Sequence, residues 1–206
     1  MTDTLHLLDA ASLGDLGRYA SRARSVDDAG AMRLQAVGDV LAAWVCVTPG
    51  SGILSEGLVL GLRTFALAEP AEGDVLVPLG AVTDRAARPD GTGTLAVPPT
   101  RALASWSAVT PPRSGWERSE DVAADVLAEC ARAGIDHVAG AVRERGAAAG
   151  FTRDRVWGTD VVPGVRAAGA FGAFSLGFLA PGSHVTVHHT NRWTRLTATG
   201  GHVLLR

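Results

Sequence analysis

Four of the six histidines, His184, His188, His189 and His202, fall in the last 23 residues, interleaved with Arg192, Arg195, Arg206 and Trp193. Imidazole and guanidinium groups at that density can hold a metal, bind an anion or move a proton. Residues 184–189, 192–199 and 202–206 each alternate apolar with polar, and Thr190-Asn191 and Gly200-Gly201 offer turns between them. A three-stranded antiparallel meander is therefore predicted. With those turns His188 pairs with Trp193, Thr186 with Arg195, His184 with Thr197, Thr197 with Leu204, and Arg195 with Arg206. Val185, Val187, Leu196, Ala198, Val203 and Leu205 then share the core face. His184, His188, Trp193, Arg195, Thr197, His202 and Arg206 share the other.

Three uses compete for that second face. A metal needs donors close together, yet His184 and His188 lie about 13 Å apart along a strand. His188 and His189 point to opposite faces, and no carboxylate is near in sequence. No metal or cofactor is expected. An anion or nucleic-acid surface would suit Arg195 opposite Arg206, which repel unless a carboxylate or phosphate lies between them. Alternatively another element or subunit covers the face, its arginines meet acids from residues 1–160, and Trp193 is an interface anchor.

Elsewhere the sequence mostly removes chemistry. All nineteen side-chain cations are arginine, with no lysine in 206 residues. That excludes a phosphate-binding loop ending in Gly-Lys-Ser/Thr, a pyridoxal Schiff base and a protein kinase. Ser175 sits in a relaxed G-x-S-x-G pattern inside a helical stretch, so it reads as packing rather than as a nucleophile. Gly50-Ser51-Gly52 and Gly91-Thr92-Gly93 lack dinucleotide spacing and read as loops. Asp27-Asp28 is turn chemistry and Glu120-Asp121 is helix-start chemistry. Asp136-His137 could act as a dyad only under a covering element. Cys46 and Cys130 form no paired motif and read as small buried hydrophobes.

The net charge of -2 conceals an imbalance. No acid follows Asp160, so the last 46 residues carry +4 and the first 160 carry -6. The N-terminus lacks a basic signal region. The most apolar stretch, residues 167–180, is shorter than the roughly 18–20 residues needed to span a bilayer. A cytoplasmic protein that engages no membrane is expected.

The elements that must position these groups follow from periodicity. Residues 5–24 carry helical spacing. Met32, Leu34 and Ala36 alternate with polar neighbours, Gly38-Asp39 turns the chain, and residues 40–48 return. Arg33 then faces Trp44, an arrangement suited to a cation–π contact. Residues 58–68 and 74–77 are further strands. Pro78 opens a helix to about residue 88, stopped by Pro89-Asp90-Gly91. The stretch 108–117 is a stiff connector. Ser119 is the expected N-cap of a helix to about Arg145, with Val122, Val126, Cys130, Ile135, Val138 and Val142 as its apolar stripe and Gly134 as a kink. A second helix over residues 165–179 stacks Phe171, Phe174 and Phe178. The fold class is α+β, antiparallel β-meanders packed with helices in each half, with halves 1–110 and 111–206 as two domains or one fused domain.

The runs AMRLQAVGDVLAAWVCVTPG, VPLGAVTDRAARPD, TPPRSGWE and LGFLAPG…RWTRL…GHVLLR resemble segments of an uncharacterised protein family from high-GC Gram-positive bacteria. The resemblance implies a cytoplasmic bacterial protein and carries over no activity and no catalytic residue. The expected function is an intracellular, non-catalytic binding or interaction module that self-associates. Its binding surface would be His184, His188, Trp193, Arg195, His202 and Arg206, with Arg33, Trp44, Phe171, Phe174 and Phe178 at interfaces. The expected partners are further copies of the chain and a protein or anionic ligand. Two alternatives remain: a nucleic-acid or anion binder through the basic C-terminal sheet face, and a small-molecule hydrolase or isomerase with its site between the halves.

Overall fold

The first few residues form a strand before any helix begins. β1 (Thr4–His6) pairs antiparallel with β4 (Thr94–Ala96), placing Leu5 opposite Leu95, and both leucines are buried. Asp9 then takes extended backbone, and its carboxylate accepts from the Ser12 N–H at 2.7 Å. That cap starts α1 (Ala10–Val26) five residues later than its apolar spacing suggests. α1 buries Leu13, Leu16, Tyr19, Ala20 and Ala23. The computed structural model describes residues 3–52, 54–87, 91–146 and 150–206. Its chain divides into two units, Met1–Val47 with Gly61–Thr110, and Thr48–Leu60 with Pro111–Arg206.

In the first unit, β2 (Ala31–Thr48) and β3 (Val59–Pro78) are long extended runs paired with one another. A straight strand of β2's 18 residues would reach about 60 Å, far beyond a unit of this size. Its buried set changes parity in the middle, from Met32, Leu34 and Ala36 to Leu41, Ala43, Val45 and Val47. The change falls at Gly38, whose φ of +58 is open to glycine at little cost. The far end of β3 runs back beside the start of β2. Leu79 N–H donates to the Gly30 carbonyl at 3.0 Å, and Gly38 N–H donates to the Glu72 carboxylate at 3.1 Å. Pro78 is the cap residue of α2 (Leu79–Ala86) rather than its first residue, and of the expected stop Pro89-Asp90-Gly91 the first two residues lie outside the described residues. α1 and α2 meet where a Cβ on Gly17 would stand 2.8 Å from that of Ala86.

In the second unit the segment from Pro111 onward forms β5 (Glu117–Ala123) before any helix, so Ser119 caps nothing. α3 (Ala124–Arg145) follows and passes through Gly134 as one helix. Its buried stripe is Ala124, Leu127, Ala128, Ala131 and Ala141, whereas Val126 and Val142 are 46% and 50% exposed. The expected stripe was therefore out of phase. α4 (Gly150–Gly158), β6 (Asp160–Val162) and β7 (Val165–Arg166) come next, none of them anticipated from sequence. α5 (Ala167–Ser175) is shorter than its apolar run. β8 (His184–Thr190), β9 (Trp193–Ala198) and β10 (Gly201–Leu205) close the chain.

The strand order in this unit is β3-β10-β9-β8-β5, β3 contributing only its first two residues, and the pairings β10–β9, β9–β8 and β8–β5 are antiparallel. The core face of the sheet carries Val185, Val187, Leu196, Val203 and Leu205, all buried. α5 rests on it so closely that a Cβ on Gly169 would lie 2.8 Å from Leu205. The fold is α+β with antiparallel sheet. Among the described residues no helix is long and apolar enough to cross a membrane.

Candidate functional site

The opposite face of the terminal sheet holds the charged and aromatic side chains, and its register fixes which of them meet. His188 lies opposite Arg195, and Arg195 opposite Leu204. Arg118 on β5 lies opposite His188, so Arg118, His188, Arg195 and Leu204 form one row across four strands. The next row is Asp121, Thr186, Thr197 and His202. Thr190 and Trp193 begin a third, one step along the strands.

Both turns are displaced from their expected positions. Asn191-Arg192 joins β8 to β9, and Thr199-Gly200 joins β9 to β10. Each pairing thus moves by two residues, which keeps every side chain on its expected face while changing every partner. Arg195 is not opposite Arg206, and His188 is not opposite Trp193. Asn191 takes φ +48, a conformation asparagine tolerates better than most residues. Gly200 is held by a close approach, because a Cβ there would stand 2.8 Å from the Phe178 Cα.

Trp193 is 6% exposed, which corrects its expected place on an open contact surface. Arg206 lies over its ring at 5.8 Å. Arg195 stacks on Trp116 at 4.6 Å, and Trp116 Nε1 donates to the Pro112 carbonyl at 2.9 Å. Residues 112–116 of the expected stiff connector are therefore held against the sheet. Arg118 pairs with Asp121 at 2.6 Å across a bulge in β5. Arg195 and Arg206 meet indole faces instead of acids.

Donors outnumber acceptors here. Arg195 Nε, Arg206 Nε and His188 Nδ1 are buried without a hydrogen-bond partner among the described residues. Burial, then Arg195 and Arg118, hold His188 below its usual pKa of 6.5, while the Thr186 backbone and Asp121 pull the other way. Burial, then Arg195 and His188, likewise lower His202, whose Nδ1 lies 3.2 Å from Thr197 Oγ1. Burial lowers Arg195 too. His184 is exposed at the start of β8, opposite Ala123. His189 faces the other way, with Nδ1 3.1 Å from Thr194 Oγ1. Among the described residues no three His, Cys, Asp or Glu side chains gather as a metal site would require.

The other expected contact residues are separately engaged. Arg33 binds the Asp74 carboxylate through two nitrogens, at 2.7 and 2.5 Å, and donates to the Ser107 carbonyl at 3.3 Å. It makes none of the cation–π contacts of the described residues, so the expected stack on Trp44 is not formed. Trp44 is half-buried, its Nε1 without a partner. Phe171 stacks on Trp157 at 4.6 Å, Arg132 covers Phe174 at 5.1 Å, and Phe178 is buried beyond the end of α5. The three phenylalanines do not form one exposed face. Sequence reasoning missed Trp116, Arg118 and Asp121, because Ser119-Glu120-Asp121 imitates a helix start. The alternation of Trp116 and Arg118 was the available signal for a strand.

The fold resembles that of the sliding clamps. A candidate DNA polymerase III beta subunit from Eubacterium rectale matches with TM-score 0.57 and 10% identity, over 98% of this chain and 64% of that one. The DNA polymerase III beta subunit of Thermotoga maritima matches with TM-score 0.55 and 15% identity, over 98% and 64%. The DNA polymerase sliding clamp of Caulobacter crescentus matches with TM-score 0.53 and 16% identity, over 100% and 65%. The likeness is one of fold, and the chain spans less than two thirds of those structures' length. No curated protein matches the sequence. A second family, described as Domain of unknown function (DUF8185), matches residues 111–206. The chain itself belongs to the family described as Domain of unknown function (DUF8010), which matches residues 1–108.

Proposed function

We propose that the protein is a non-catalytic interaction module of sliding-clamp type, which associates with further copies of itself and engages a macromolecular partner. The observation that carries this reading is the likeness to polymerase clamps over 98% or more of the chain. Light scattering across a dilution series tests the self-association. A mass above that of one chain, falling on dilution, is expected. A single-chain mass at every concentration would remove the self-associating part.

Anion binding through the terminal sheet is the second reading. It is favoured by Arg195 and Arg206, whose guanidinium groups lie over tryptophan rings and pair with no carboxylate among the described residues.

A further inference from the structure

We infer that Arg118, His188 and Arg195 form a binding site for one compact phosphate-type oxyanion. The site deepens the second reading and is independent of self-association. It lies on three neighbouring strands, each giving one cationic or protonatable side chain to the same row of the same face. Neighbouring strands are about 4.8 Å apart, so the row spans about 10 Å. Two long arginine side chains at its ends can converge over the imidazole between them.

Directly opposed cations disfavour one another, and the fold relieves only part of that conflict. Asp121 pairs with Arg118, and burial beside Arg195 disfavours protonation of His188. Arg195 has no acid. Its guanidinium carbon lies over the Trp116 ring, 4.6 Å from the centroid. An arginine held against an aromatic face can still turn its N–H groups toward an oxyanion. Arg195 Nε and His188 Nδ1, both buried and unpartnered, are the groups such a ligand would satisfy.

A phosphate dianion fits better than a carboxylate, because it offers acceptors to two guanidinium groups and an imidazole together. A nucleic-acid strand fits less well. Its footprint takes about six to ten phosphate contacts, whereas this face presents a single row closed at one end by buried Leu204.

The charged and titratable groups around His188 are Arg195, Arg118, Asp121 and, one row along, His202. An anion among them reverses the local potential. Binding should therefore be accompanied by proton uptake on His188.

Inorganic phosphate, titrated at constant ionic strength into the full chain with the histidine ring signals followed by NMR, tests the site. The His188 signals should move saturably, and the His188 pKa should rise with phosphate present. Arg195→Gln should weaken binding by roughly tenfold or more, while Arg192→Gln, which removes an exposed turn arginine, should leave it unchanged. Because Arg195→Gln also removes the stack on Trp116, Arg118→Gln provides a second variant whose side chain is 62% exposed. It too should weaken phosphate binding. Equal loss in the Arg192 and Arg195 variants would reveal diffuse charge attraction and overturn the site. So would an unmoved His188 signal, or retention of an oligonucleotide that phosphate cannot displace. Since phosphate binding and light scattering report separately, failure of this site leaves the clamp-type reading standing.

Discussion

Protonation of His188 and His202 is disfavoured for a shared reason, burial beside Arg195. Both fall below the ordinary value of 6.5 in the folded chain, so the unfolded chain binds protons first as pH falls. The stability they permit is present above 6.5 and lost as pH drops through their lower folded values. Acidification should therefore reduce the melting temperature before the carboxylates protonate. Asp9, lowered by its hydrogen bonds to Ser12, contributes only at more acidic pH. A His188→Gln, His202→Gln double variant should show a flatter profile just below 6.5. Equal slopes in wild type and double variant would show that neither imidazole matters to stability. Cys46 shows the same principle with the opposite outcome. Burial, then Asp27, pushes its thiol up to about 12, which suits an inert packing group.

At the scale of elements, α3 shows what sequence patterning captures and what it misses. Its existence was legible, but its inward face was assigned to the large aliphatics Val126 and Val142, which are exposed. The inward residues are mostly alanines, and at Gly134 the helix meets Trp157 so closely that a Cβ would stand 2.4 Å from the ring. The ring cannot easily retreat, because it stacks on Phe171 at 4.6 Å. Gly134→Ala should therefore destabilise by about 1–3 kcal/mol. Gly140→Ala, on the same helix with nothing within 4 Å of the added carbon, should stabilise by up to about 1 kcal/mol. Denaturant unfolding of both variants separates steric conflict from helix propensity, and equal effects would contradict the packing account. The terminal meander was legible in a different way. Its period of two assigned Val187, Leu196 and Val203 to the core correctly, because a two-residue error in register preserves faces. Its partners were not legible, since the turn at Gly200 is chosen by contact with Phe178, a residue 22 positions earlier. Arg33 likewise finds Asp74, 41 residues away, over the nearer Trp44.

At the scale of the molecule, family boundaries and compact units divide the chain differently. The two family matches divide near residue 110, yet residues 48–60 group with the second unit. There they supply the neighbour of the last strand. Arg206 N–H donates to the Leu58 carbonyl at 3.0 Å, and Gly57 N–H donates to the Arg206 carbonyl at 2.9 Å. A fragment of residues 111–206 would keep the α3–α5 packing and the β5-β8-β9-β10 pairing but leave one side of β10 open. Those two hydrogen bonds alone account for about 1–3 kcal/mol, and an open edge invites pairing between chains. The fragment should melt below the full chain, and its Arg206 amide should exchange faster. A peptide of residues 48–60 added in trans should restore part of both, because it can dock as the missing strand. If the fragment alone protects the Arg206 amide as well as the full chain does, the 48–60 segment is not needed by the second unit. Recovery on adding the peptide would instead mean that a segment matched to the first family completes the sheet of the second.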